Sequence, residues 1–94
     1  ANIGGLLMTM GLGYDSDQGR ALCGALTALM TGVAYATSAE IAAERGAFPG
    51  YARNRDHMLR VIRNHRAAAQ GTGLYEGVNV TPVALDAANC PDPM

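Results

Sequence analysis

Between Ala21 and Ala39 the chain carries no charged residue, and the helical pattern around that run is unbroken from about Ser16 to Arg45. At 1.5 Å per residue such a helix is about 44 Å long, longer than most small domains are wide. Leu22, Leu26, Leu29, Met30, Val33 and Ile41 cover more than one stripe of it, so the helix needs neighbours on several sides. A chain of 94 residues forms one small core, burying about 60–65% of its unfolded surface. It can hardly surround a helix of that length, which implies that the surrounding elements lie elsewhere.

A membrane span is the competing reading of the same run. The segment barely reaches spanning length and contains Gly24, Thr27, Thr31, Gly32, Thr37 and Ser38, which favours a buried helix and no membrane association. Gly24, Ala28, Gly32 and Ala36 recur every fourth residue on one face. Each interior Gly costs about 1 kcal/mol relative to Ala, a cost that close approach of another helix offsets. That face reads first as a packing groove and only second as a ligand surface.

Two further helices flank the long one. Ile3, Leu6, Leu7 and Met10 give amphipathic spacing over about 2–10, stopped by Gly11 and Gly13. The oxygens of Tyr14 to Asp17 suit a helix start, with Asp17 at the positive end of the dipole, and Gly46 suits the left-handed position past the end. After the turn Ala47-Phe48-Pro49-Gly50, Asn54 is expected to cap a third helix over about 54–70, ended by Gly71. Met58, Leu59, Val61 and Ile62 form its narrow apolar face, leaving Arg55, Arg60, Arg63 and Arg66 toward solvent or a partner. Residues 72–94, with Gly73, Gly77, Pro82, Pro91 and Pro93, read as irregular or extended chain with a short helix near Asp86-Ala87-Ala88. The fold class is therefore all-α: three main helices, about 2–10, 16–45 and 54–70, in a single helical unit over 1–94.

Side chains with chemical potential are few. Net charge is −1, lysine is absent, and all seven basic residues are arginines. Five of these, Arg53, Arg55, Arg60, Arg63 and Arg66, crowd the third helix against Asp56 alone. Guanidinium forks suit phosphate oxygens and acidic protein surface equally. Tyr51 is the one aromatic near the series, which argues against stacking on nucleic acid. His57 and His65 are too far apart along the helix to share a metal ion unaided, and Glu40 and Glu44 lack the His of a di-iron motif. Cys23 and Cys90 have neither zinc nor redox spacing and read as reduced thiols of a cytoplasmic protein. No phosphate loop, catalytic triad or signal peptide is present. Catalytic, cofactor-binding and metal residues are thus all assigned as none. The start at Ala1, readable also as a tag remnant, and the stop just after Cys90-Pro91-Asp92-Pro93 are both read as cuts from a longer protein.

Longer stretches carry more information than these residues taken singly. Gly4-Gly5-Leu6-Leu7-Met8, Met10 to Arg20, Ala25 to Gly32, Ala34 to Glu40, Phe48-Pro49-Gly50-Tyr51, Asn54-Arg55, His57 to Arg66 and Ala88-Asn89-Cys90-Pro91-Asp92 follow one another in order. Together they resemble the region after the catalytic finger loop of adenosylcobalamin-dependent (class II) ribonucleotide reductases. The resemblance implies a larger α/β-barrel enzyme that reduces ribonucleotides to deoxyribonucleotides for DNA synthesis through a thiyl radical, with adenosylcobalamin as cofactor of the parent and none bound to this segment. It implies that the radical cysteine, its acid/base partners, the reducing cysteine pair and the substrate phosphate loop lie outside the segment. Cys23 sits within a helix, and the Asn-Cys-Pro context of Cys90 does not match the finger loop, so no catalytic residue is carried over. Expected partners are the rest of the reductase barrel and, in the parent, the ribonucleotide substrate. Two competing readings are a stand-alone helical module binding an acidic partner or nucleic acid through its arginine helix, and a homodimer in which a second copy covers the apolar helix.

Overall fold

A computed structural model describes residues 1–91; the Asp92 match and the last prolines fall outside the described residues. Three helices form, α1 (Ile3–Thr9), α2 (Asp17–Arg45) and α3 (Tyr51–Gln70), and no strand occurs among the described residues. The chain divides into two compact units, one comprising Ala1–Met30 with the segment from Leu85 onward, the other Thr31–Ala84. Helix α2 contributes its first half to one unit and its second half to the other.

In the first unit, α1 ends in a paired hydrogen-bond closure. Gly11 takes φ +72°, and the amides of Gly11 and Leu12 donate to the carbonyls of Met8 and Leu7 at 3.2 and 2.9 Å. That reversal turns the chain into the start of α2, where Ser16 is the cap. The Ser16 Oγ accepts from the Gly19 amide at 3.0 Å and donates to the Gly13 carbonyl at 2.6 Å, tying the connection to the first turn of the helix. Arg20 is held between Asp15 and Asp17, the latter at 2.6 Å, where the acidic group also faces the positive end of the helix. The unit's core is Leu7, Ala21 and Leu22, all nearly inaccessible. Burying each of the two leucines stabilises by about 1.5–3 kcal/mol. Gly19 is buried with them, because Leu7 and the Gly13 carbonyl lie directly over it.

Residues 85–91 are irregular. The expected short helix at Asp86-Ala87-Ala88 is absent; a turn stands in its place. The Asp86 carboxylate accepts from the Asn89 amide at 3.2 Å and from the Asn89 Nδ2 at 2.8 Å, and the Cys90 amide donates to the Ala87 carbonyl at 3.3 Å. An aspartate that satisfies the amide three residues on closes the chain locally and offers no partner for continuing a helix. Leu85 lies against the notch at Gly24, where an added Cβ would sit 3.7 Å from its Cδ1.

In the second unit α2 ends as the sequence predicts, with Gly46 at φ +85° donating to the Ala42 carbonyl at 2.8 Å. Helix α3 starts earlier than predicted, at Tyr51 rather than about residue 54. The Tyr51 amide donates to the Phe48 carbonyl at 3.0 Å, and the two rings meet edge to face at 5.6 Å, so the turn through Pro49 feeds directly into helix. Asn54 is therefore not a cap. It lies inside the helix and its Nδ2 donates back to the Gly50 carbonyl at 2.9 Å. Gly71, at φ +68°, ends α3 as predicted.

The long helix departs from the burial that its composition predicts. Of α2 only Gly19, Ala21 and Leu22 are buried, whereas Leu29, Met30, Val33 and Ile41 are all more than half exposed. Nothing lies within 4 Å of where a Cβ on Gly32 would stand. The apolar circumference is real, but no element among the described residues covers it. By length and composition α2 is also long and apolar enough to cross a membrane, a property it shares with core helices of large soluble proteins.

Candidate functional site

The densest polar arrangement lies in the second unit, on the arginine-rich helix. Arg63 presents its guanidinium edge to the Glu76 carboxylate, with Nε to Oε2 at 2.8 Å and an Nη to Oε1 at 3.2 Å. Next to it the Asn64 carboxamide pairs with the backbone of the same residue. Its Nδ2 donates to the Glu76 carbonyl and its Oδ1 accepts from the Glu76 amide, both at 2.9 Å. The two bonds together determine which end of the amide is oxygen. Arg60 completes the arrangement by lying over Gly77, where a Cβ would come within 3.0 Å of its Nη1.

Electrostatics follow from that geometry. The hydrogen bond from Arg63 holds the Glu76 carboxyl below the usual carboxylate range, against some desolvation and with smaller help from the charges of Arg63 and Arg60. The same bond raises Arg63 further above its already high value. In the first unit, Asp17 raises Arg20 in the same way, and the Asn89 side chain lowers Asp86. All these groups are solvent-exposed, so they orient the chain without storing much energy.

The remaining sequence candidates stay apart. His65 packs edge to face with Tyr35 at 5.8 Å, and its Nδ1 lies 2.8 Å from the Val61 carbonyl. Because a carbonyl only accepts, that contact requires a proton on Nδ1. His57 is exposed elsewhere on the helix. Among the described residues no three His, Cys, Asp or Glu side chains converge on a position that could hold a metal ion. Cys23 and Cys90 are free thiols, both half-buried. Of the five arginines on α3, Arg63 has an acidic partner within the chain, which the sequence reading missed. Glu76 is thirteen residues away across two glycines, and no spacing rule connects them; the one available hint was Asn64, a residue with poor helix propensity in a helix interior.

Comparison with known proteins bears on the whole chain. Residues 1–80 match the family model described as ribonucleotide reductase, barrel domain. The chain is 71% identical to a vitamin B12-dependent ribonucleotide reductase of Bradyrhizobium diazoefficiens over 92 residues, 97% of this chain and 7% of that protein. It belongs to the ribonucleotide reductase family. An Agrobacterium fabrum protein of the same name is 68% identical over 93 residues, covering 98% of this chain and 7% of its own length. A Streptomyces coelicolor counterpart is 58% identical over 65 residues, covering 69% and 7%. The chain therefore spans about 7% of the length of these curated relatives. Membership in a barrel-domain family accounts for the all-helical character only in part, since the barrel's strands are not found among the described residues.

Proposed function

We propose that this chain is an internal helical segment of the catalytic subunit of an adenosylcobalamin-dependent ribonucleotide reductase, and that it serves as scaffold rather than as catalyst. The parent enzyme converts ribonucleotides to deoxyribonucleotides for DNA synthesis by thiyl-radical chemistry in the cytoplasm. The observation that carries this reading is identity of 71% across 97% of the chain to a relative named for vitamin B12-dependent reduction. Identity at that level, running across helices, turns and loops alike, leaves little room for a change of chemistry.

The scaffold role rests on α2. An apolar helix whose Leu29, Met30, Val33 and Ile41 stand exposed must be covered by other parts of the polypeptide, and a barrel domain supplies strands and helices for that purpose. The partners are then the rest of the reductase barrel, with the ribonucleotide held by the parent. Adenosylcobalamin would supply the radical by homolysis of its cobalt–carbon bond. What these residues contribute is rigidity: a capped 29-residue helix and a second helix of 20 residues on which active-site elements can be held in position.

The test is made in the full-length protein. It should form deoxyribonucleotide only when adenosylcobalamin is supplied, and the Cys23→Ser and Cys90→Ser variants should keep their turnover. Cofactor-independent turnover would overturn the cobalamin assignment. A folded serine variant without turnover would overturn the scaffold role.

A further inference from the structure

From Gly73 to Asp86 no main-chain amide is hydrogen-bonded to a main-chain carbonyl among the described residues, so this stretch is held by side chains. The holding is concentrated on Leu74–Gly77. Asn64 takes both backbone groups of Glu76, Arg63 takes its carboxylate, and Arg60 lies over Gly77. On either side of Leu74–Glu76 stands a glycine in the left-handed region, Gly73 at φ +71° and Gly77 at φ +62°. Those are conformations that glycine enters and leaves freely, and where other residues are strained. The stretch thus has a pivot at each end and a side-chain catch in the middle, and every bond of the catch is exposed to water.

We propose that Leu74–Gly77 is a releasable strap, latched on α3 by Asn64 and Arg63 and pivoting at Gly73 and Gly77. Latched, it occupies the guanidinium edge of Arg63 and overlies Arg60. Released, it presents Arg60, Arg63 and the Asn64 carboxamide together on one stretch of α3. The inference is independent of the reductase reading, because it rests on the geometry of this unit alone.

Amide hydrogen exchange on the full-length protein tests it. In wild type the Glu76 amide should be protected, although no main-chain carbonyl accepts from it. Asn64→Ala removes both bonds to the Glu76 backbone and should accelerate exchange of Leu74–Gly77 by about tenfold, leaving the α3 amides from Met58 to Ile62 unchanged. Gly77→Ala, which alters no residue of α3, should do the same by straining the pivot against Arg60. Either variant should also raise dicarbonyl labelling of Arg63. The proposal is overturned by a wild-type Glu76 amide that exchanges at the unprotected rate, by strap rates unmoved in both variants, or by α3 amides accelerated to the same extent. The last result would mean that the strap opens only when the helix does.

Discussion

Replacing Gly19 by Ala tests the packing at the start of α2, because there the general rule and the local structure predict opposite signs. Exchanging an interior helix Gly for Ala ordinarily stabilises by about 0.5–1 kcal/mol. At Gly19 the new Cβ would stand 2.6 Å from the Gly13 carbonyl oxygen, 3.1 Å from the Ser16 Oγ and 3.6 Å from the Leu7 Cδ1. Even a favourable carbon-to-oxygen contact needs about 3.3–3.6 Å, so the Gly13 peptide must retreat by about 0.7 Å or more. Backbone cannot swing aside as a flexible side chain can, and overpacking of this kind costs about 1–3 kcal/mol. The retreat also pulls on the Ser16 hydroxyl, which bridges the Gly13 carbonyl and the Gly19 amide; a lost N-cap costs about 1 kcal/mol more. Setting the gain against both losses leaves a net destabilisation of about 2 kcal/mol, or about a 30-fold rise in local opening. Hydrogen exchange at α2 amides from Arg20 to Cys23 in the full-length protein reads that number directly, and Ser16→Ala, which removes the cap alone, should give a rise of about fivefold. Exchange in Gly19→Ala that is equal to or slower than wild type would refute the close approach of the Gly13 carbonyl.

Three further outcomes are expected. Gly32→Leu and Val33→Glu should each lower the yield of folded full-length enzyme, measured by soluble expression and turnover, because the proposed scaffold role has the open face of α2 covered by the rest of the polypeptide; unchanged stability and turnover would count against a packed scaffold. The Glu76 carboxyl is depressed in the folded state, so its pairing contributes above the unfolded value and is lost as pH falls through the lower folded value; strap protection, taken relative to the intrinsic exchange rate at each pH, should fall on acidification within that window, and Glu76→Gln should abolish that fall. Binding of oligonucleotides to the full-length protein at low salt should be unaffected by Arg63→Gln, since that guanidinium is already engaged by Glu76.

The parts of this fold that were legible in the sequence are those set by neighbours along the chain. Gly11, Gly46 and Gly71 end three helices because a left-handed residue closes the last turn, and that requirement is visible in a single letter. Ser16 caps α2 for the same local reason. Asn54 misled because Asn suits a cap wherever one is needed, while Phe48 and Tyr51 packing ring against ring allowed the helix to start three residues earlier. Asp86 misled in the opposite sense: its carboxylate turns back on Asn89 and closes a turn where a helix was expected. The pairing of Arg63 and Asn64 with Glu76 lay beyond reach, since it depends on how Gly71 and Gly73 redirect the chain, and no local pattern encodes the landing point.

The burial of α2 separates what a sequence says about a helix from what it says about its surroundings. Leu29, Met30, Val33 and Ile41 predict an environment that the described residues do not supply. Three environments satisfy an apolar circumference equally in hydropathy: a bilayer, a second copy, and the remainder of a larger domain. They differ in what they require of small residues. Lipid tails do not fill the gap at Gly32, so in a bilayer the notch is used only where another helix packs into it. A larger domain uses such a notch to bring a neighbour close, as Leu85 already does at Gly24 two repeats of the pattern earlier. On the proposed scaffold reading that packing continues to Ala28, Gly32 and Ala36 with partners from the same polypeptide, and relatives of which this chain spans about 7% have ample length to supply them.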